Sequence, residues 1–267
     1  MNFRKYGEGP GKYVVVHGGP GAPGSVSSLA RKLSETRSVL EPFQTENSVW
    51  GQVEELYRLI REKCTDRVFL LGHSWGAWLV YLLAYRHPEV VGIAFLIGAG
   101  AFDAAYLPEL KRRRLAALSV EEQTEYLETI ELLKRPSENS DRYLSRLGEL
   151  AEKGDNFCIE MTDEDSENMV AIDGKQFRKV MTEAFRMREE GFFRKIAGKI
   201  RCPLRILHGK NDTTPVEGVV EPLQGAVADL RWYVIDRCGH SPWKEKYGKE
   251  EFYRIVDWEV RLAEGAE

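Results

Sequence analysis

The sequence lacks a basic excess, a long apolar run and an apolar leader, and each absence excludes a class of function. Its 267 residues carry 38 Lys and Arg against 42 Asp and Glu, whereas nucleic-acid-binding domains are usually basic. The longest uncharged apolar run, residues 90–102, is too short to span a bilayer as a helix, and no apolar segment follows the first charges. We therefore expect a cytoplasmic protein that binds neither nucleic acid nor a membrane.

The cysteines are too dispersed to form a metal site or a disulfide framework. The four of them stand at positions 64, 158, 202 and 238, with no C-x-x-C pair. Zinc sites need clustered ligands, and disulfide frameworks need an oxidising compartment. We predict reduced thiols and no metal.

The residues that are present favour a mostly parallel sheet covered by helices on both faces. Hydrophobic residues make up 43% of the chain, enough for a sizeable core. Short β-branched runs alternate with longer stretches of helical periodicity, which is typical of α/β proteins. The predicted strands cover residues 13–16, 38–40, 67–71, 92–97, 204–207 and 230–235, and the predicted helices 49–63, 76–86 and 249–263.

The middle of the chain has a different character. Residues 103–199 are rich in Glu, Arg, Lys and Leu and contain no strong strand pattern. We predict that they form a helical cap inserted into a core made of residues 1–102 and 200–267. The alternative is a set of solvated helices lying on the sheet.

A candidate nucleophile lies directly after the predicted strand 67–71. Residues 72–76 read Gly-His-Ser-Trp-Gly, a G-x-S-x-G pattern between a strand and a buried helix. This strand–turn–helix context is that of a nucleophile elbow. The turn forces Ser74 into an uncommon backbone conformation, and the flanking glycines remove side chains that would clash. We predict that Ser74 is the nucleophile; a chance glycine-rich turn is the alternative.

A serine nucleophile needs a general base and a carboxylate that orients it. Of the five histidines, His240 lies in a loop directly after the last predicted strand. Asp212 follows the strand 204–207 and completes the chain order serine, acid, histidine. Asp236 and Glu217 are rival acids, although Asp236 is too near His240 in sequence to orient it easily.

A glycine-rich loop at residues 17–21 follows the first strong strand and reads His-Gly-Gly-Pro-Gly. Acyl transfer needs N–H donors that point at the developing oxyanion, and glycines let backbone amides approach closely. We assign the two donors to the amides of Gly19 and Trp75. A plain glycine turn is the competing interpretation.

These segments resemble a known enzyme family. Residues 17–21 and 72–76 are similar to the proline iminopeptidase branch of the α/β-hydrolases, and residues 209–212 and 239–242 resemble the acid and histidine loops of that superfamily. The resemblance covers residues 10–100 and 200–262. It implies the α/β-hydrolase fold, a helical cap, no organic cofactor or metal, and release of an N-terminal residue, proline foremost, from a short peptide.

The substrate has alternatives, because residues 40–48 replace the Asp-Gln-Arg-Gly segment usual in that branch. A small carboxylic ester is the runner-up. An acyltransferase and a non-catalytic small-molecule receptor on the same fold are further readings. Residues 155–167 are strongly acidic and are either an amine-recognising patch or a solvated loop. Our candidates for substrate contacts are Gly18, Glu160 and Trp243.

Overall fold

The computed structural model describes residues 1–134, 138–160, 168 and 173–265. The strands in this part of the chain are β1 (Asn2–Tyr6), β2 (Tyr13–Val16), β3 (Val39–Phe43), β4 (Val68–His73), β5 (Val91–Ile97), β6 (Leu204–Gly209) and β7 (Leu230–Ile235). They form one sheet in the order β1-β3-β2-β4-β5-β6-β7. Strand β1 runs antiparallel to β3, and the other neighbours are parallel.

Burial along each strand explains its place in the sheet. Strands β2 and β4 are buried along their whole length, which is why their sequences are continuous apolar runs. Edge strand β7 leaves Trp232 and Val234 exposed. Strand β1 was missed by the sequence analysis, because this half-exposed edge strand carries two charged residues and no apolar run.

Helices cover both faces of the sheet, which confirms the predicted fold class. One core cluster lies between the sheet and helices α2, α3, α7 and α8; the other lies between the opposite face and helices α1 and α10. The helices are α1 (Ser27–Leu33), α2 (Val49–Lys63), α3 (Trp75–Arg86), α4 (Leu107–Ala116), α5 (Val120–Leu133), α6 (Ser140–Asp155), α7 (Gly174–Glu189), α8 (Phe192–Ile196), α9 (Glu217–Val220) and α10 (Lys249–Glu264).

The described part of residues 103–199, which we call the insert, contains helices α4 to α8. Helices α5 and α6 enclose a small apolar cluster of their own around Leu118, Tyr126 and Leu150. Helix α7 instead packs against α2 and against the glycine-rich turn Gly19–Gly21. The insert therefore touches the sheet domain beside the glycine-rich loop, and its role as a cap stays a prediction.

Two expectations from composition bear on the whole molecule. All four cysteines are free in the structure. Among the described residues, no helix combines the length and the apolar character that crossing a membrane requires.

Candidate active site

The candidate residues lie at the carboxyl ends of parallel strands. Ser74 follows β4, Asp212 follows β6, and His240 lies in the loop after β7. Parallel strands bring their carboxyl ends to one edge of the sheet, where ligand sites of open α/β folds are found. Gly18 follows β2 at the same edge. Four segments that are distant in sequence therefore meet at one place.

The turn between β4 and α3 has the backbone conformation that the sequence predicts. Ser74 has φ 54° and ψ −113°, which is unfavourable for a residue with a side chain. A Cβ atom on Gly72 would lie 2.2 Å from the carbonyl oxygen of Gly76, and one on Gly76 would lie 2.3 Å from that of Val16. Both positions therefore require glycine, and the serine is held at the tip of a rigid turn.

Asp212 and His240 are in direct contact. His240 Nδ1 lies 2.8 Å from Asp212 Oδ2, and the other oxygen, Oδ1, accepts a hydrogen bond of 2.8 Å from the amide of Thr214. Burial disfavours the charged carboxylate, but His240 and these hydrogen bonds outweigh it and lower the pKa of Asp212 to about 2. The rival Asp236 is exposed and lies 2.6 Å from Lys210 Nζ.

The electrostatics favour protonation of His240 and oppose that of its neighbour His73. Burial opposes a charge on His240, but the Asp212 carboxylate outweighs it and raises its pKa. Burial and then the charge of His240 hold the pKa of His73 well below its usual range. Neutral His73 lies with Nε2 3.1 Å from the carbonyl oxygen of His240, so the two rings are held side by side.

Ser74 and His240 adjoin the same end of β5. The amide of Ser74 donates to the carbonyl of Ile97 over 2.9 Å. The next residue, Gly98, has φ 49°, and a Cβ atom there would lie 2.4 Å from His240 O and 3.1 Å from its Nδ1. The serine turn and the histidine loop are therefore packed on adjacent residues.

The candidate oxyanion donors belong to two segments that adjoin Ser74, the glycine-rich loop and the start of α3. A Cβ atom on Gly18 would lie 3.3 Å from Ser74 Cβ, so the glycine-rich loop abuts the serine, and Gly19 has φ 49°. Trp75 is the first residue of α3, where an amide has no acceptor within its own helix. Its indole Nε1 donates to Gln52 Oε1 over 3.2 Å and is therefore engaged. Its backbone N–H is the group available to a ligand.

Two other histidines make hydrogen-bond contacts within loops at this edge. His208 Nε2 lies 2.8 Å from the carbonyl oxygen of Thr214 and 3.5 Å from Asp212 Oδ2, so it braces the acid loop. His17 is buried with Nδ1 2.9 Å from Gly18 O, and burial lowers its pKa to about 4.

The predicted substrate-contacting residues differ in their surroundings. The exposed Glu160 forms an ion pair with Lys249 of α10. Trp243 is buried and packs its ring edge-on against His73, with centroids 4.6 Å apart. Gly18 lies against Ser74, as described above. Of the acidic stretch, Asp163, Glu164, Asp165 and Glu167 lie outside the described residues.

The residues that join the insert to the histidine loop were not predicted from the sequence. The amide of His240 donates to the carbonyl of Asp155 over 2.9 Å, and that of Ser241 to Asn156 Oδ1 over 2.9 Å. The Glu245 carboxylate is fully buried and accepts hydrogen bonds from the amides of Gly239, Phe157 and Cys158. Such contacts between distant positions leave no local pattern in a sequence.

Comparison with known proteins gives a consistent family. Residues 14–247 match the model of the alpha/beta hydrolase fold family. The proline iminopeptidase of Lactobacillus crispatus (strain ST1) is 27% identical over 262 residues, covering 87% of this chain and 85% of that protein.

Solved structures show the same fold at low identity. The proline iminopeptidase of Mycobacterium smegmatis superposes with a TM-score of 0.68 at 18% identity, covering 98% of this chain and 94% of that one. The esterase EaEST of Exiguobacterium antarcticum gives a TM-score of 0.67 at 18% identity, with the same coverage of 98% and 94%.

Proposed function

The chain belongs to the α/β-hydrolase family, and from that premise we propose that it is a serine hydrolase working through an acyl-enzyme. The observation that carries the proposal is the contact of 2.8 Å between His240 Nδ1 and the buried Asp212 carboxylate, at the sheet edge that also holds the strained Ser74 turn. An imidazole oriented by a carboxylate beside a serine supports activation of the Ser74 hydroxyl group by a general base.

The first step is the attack of Ser74 Oγ on a carbonyl carbon. Asp212 accepts the hydrogen bond of His240 Nδ1–H, which leaves Nε2 unprotonated and able to take the serine proton. The new C–O bond forms as the carbonyl π electrons move to oxygen. The amides of Gly19 and Trp75 then donate to this oxyanion.

The second half of the reaction repeats these roles. The imidazolium of His240 protonates the leaving amine or alcohol, whose bond to carbon breaks as the carbonyl re-forms. Water then loses its proton to His240 and attacks the acyl-enzyme, and Ser74 recovers its proton when the acid product leaves. Asp212 stabilises the imidazolium in both halves, and its lowered pKa of about 2 keeps it ionised for that role.

The leading substrate is an N-terminal aminoacyl bond, proline foremost. The similarity to the Lactobacillus crispatus proline iminopeptidase supports it. A small carboxylic ester is the second candidate, because the described carboxylates of the acidic stretch already form ion pairs within the protein. Glu160 pairs with Lys249, and Asp155 with Arg114, so a substrate ammonium would have to displace a cation from either carboxylate.

The decisive experiment measures wild type and Ser74→Ala on a proline arylamide and on short acyl nitrophenyl esters. We expect turnover by wild type on at least one class and loss of nearly all of it in Ser74→Ala. Ester turnover without arylamide release would refute the aminopeptidase. Unchanged turnover in Ser74→Ala would refute the serine mechanism. Wild type that turns over neither class and does not react with a fluorophosphonate probe would indicate the non-catalytic receptor.

A further inference from the structure

A single residue of the insert touches both catalytic loops. Asp155, the last residue of α6, accepts the amide of His240 on its backbone oxygen over 2.9 Å. Its side-chain Oδ1 accepts the hydroxyl of Thr213, the residue next to Asp212. The histidine loop and the acid loop are thus tied together through one position that belongs to neither.

The Asp155 carboxylate is itself held by a cation from a third element. Arg114 of α4 binds it in a fork, with Nε 2.7 Å from Oδ1 and Nη2 2.6 Å from Oδ2, and donates from Nη1 to the Tyr126 hydroxyl over 3.0 Å. The carboxylate is almost fully buried and the guanidinium largely so. In a poorly solvated site, such a forked pair is rigid and its charges are weakly screened.

We propose that Asp155 is a positioning residue for the hydrolytic reaction, and that the Arg114–Asp155 pair balances the charge felt by His240. The inference rests on the proposed role of His240 as the base. Under this proposal the insert contributes to catalysis, because its helices α4 and α6 supply Arg114 and Asp155.

The two members of the pair act on His240 with opposite sign. Burial lowers the pKa of His240, and Asp212 raises it. Asp155 raises this pKa further, whereas Arg114 lowers it. Asp155→Asn removes an anion and leaves the cation unbalanced, so the pKa of His240 falls. Arg114→Gln removes the cation and leaves the anion unbalanced, so the pKa of His240 rises. His73 lies against the His240 ring, His208 lies 3.5 Å from Asp212 Oδ2, and Lys244 and Glu245 belong to the segment that follows His240. Neither substitution alters these titratable residues.

The experiment is an NMR titration of the histidine ring signals in wild type, Asp155→Asn and Arg114→Gln, with His240 assigned by His240→Gln. We expect shifts of opposite sign, each about half a pH unit. The acid limb of kcat/KM should move with them, to lower pH in Asp155→Asn and to higher pH in Arg114→Gln. The matched control is Arg146→Gln, which breaks an equally short ion pair of the insert with Glu125, at 2.7 Å, and should leave the titration unchanged.

A purely structural pair would move the pKa in the same direction in both variants, or not beyond the control, and either result overturns the proposal. If Asp155→Asn does not fold, the titration of Arg114→Gln tests the proposal by itself. An unchanged or lowered pKa of His240 in that variant refutes it. The titration needs no turnover. Activity retained by Ser74→Ala would therefore refute the serine mechanism separately, without altering the NMR result.

Discussion

Replacing Asp212 by Asn tests the candidate site most sharply, because the surrounding hydrogen bonds dictate how the new amide must point. The amide of Thr214 donates to Asp212 Oδ1 over 2.8 Å, so an Asn at this position turns its oxygen to Thr214. Its NH₂ group then faces His240 Nδ1, which lies 2.8 Å from Oδ2 in the native protein. His240 must accept there and carry its proton on Nε2, where it cannot take the proton of Ser74.

The size of the effect has two parts. Asp212 has a pKa of about 2 against an ordinary 3.8, so its surroundings as a whole, with His240 the largest favourable contributor, favour the carboxylate by about 2 kcal/mol. Losing that in the transition state costs roughly thirty-fold in rate. The wrong tautomer adds to it, so we expect kcat to fall about 10³- to 10⁴-fold.

The assay is kcat and the rate of fluorophosphonate labelling for Asp212→Asn, Asp212→Ala and Asp236→Asn. Asp212→Ala removes the charge without imposing a tautomer, so it should retain more activity than Asp212→Asn. Asp236→Asn alters an exposed acid paired with Lys210 and should behave as wild type. A kcat of Asp212→Asn within ten-fold of wild type, or above that of Asp212→Ala, would refute the predicted tautomer effect.

Two further predictions concern pH and packing. The base acts in its neutral form, and the pKa of His240 is raised above 6.5. In a pH–rate profile, kcat/KM should therefore rise with pH through a midpoint above 6.5. A midpoint at or below that value would contradict the assignment of His240 as the base. Gly98→Ala places a Cβ atom 2.4 Å from His240 O at φ 49°, so urea unfolding should show a loss of about 2 kcal/mol or more, together with reduced kcat. Gly225→Ala, with φ 77° and open space around it, carries the backbone cost alone and should leave kcat unchanged; an equal loss of kcat in both variants would show that contact with His240 is unimportant.

Local sequence patterns predicted the central sheet and the serine turn. Strands β2 and β4 are buried on both faces, so their apolar runs are unbroken and easily recognised. The glycines at 72 and 76 are required by neighbouring backbone atoms within 2.3 Å of an added Cβ. Strand β1 has no apolar alternation in its sequence, so its pairing with β3 at the sheet edge could not be predicted.

Asp212 and His240 were found from the sequence because each follows a strand, and strand order in a parallel sheet decides which loops share an edge. The sequence by itself therefore determined which chemical groups reach that edge. Only the tertiary structure decided their surroundings: that Asp155 binds both loops, and that Glu160 is engaged by Lys249. Those contacts depend on how the insert folds back onto the sheet. A sequence does not show whether a carboxylate faces a substrate, a cation or water.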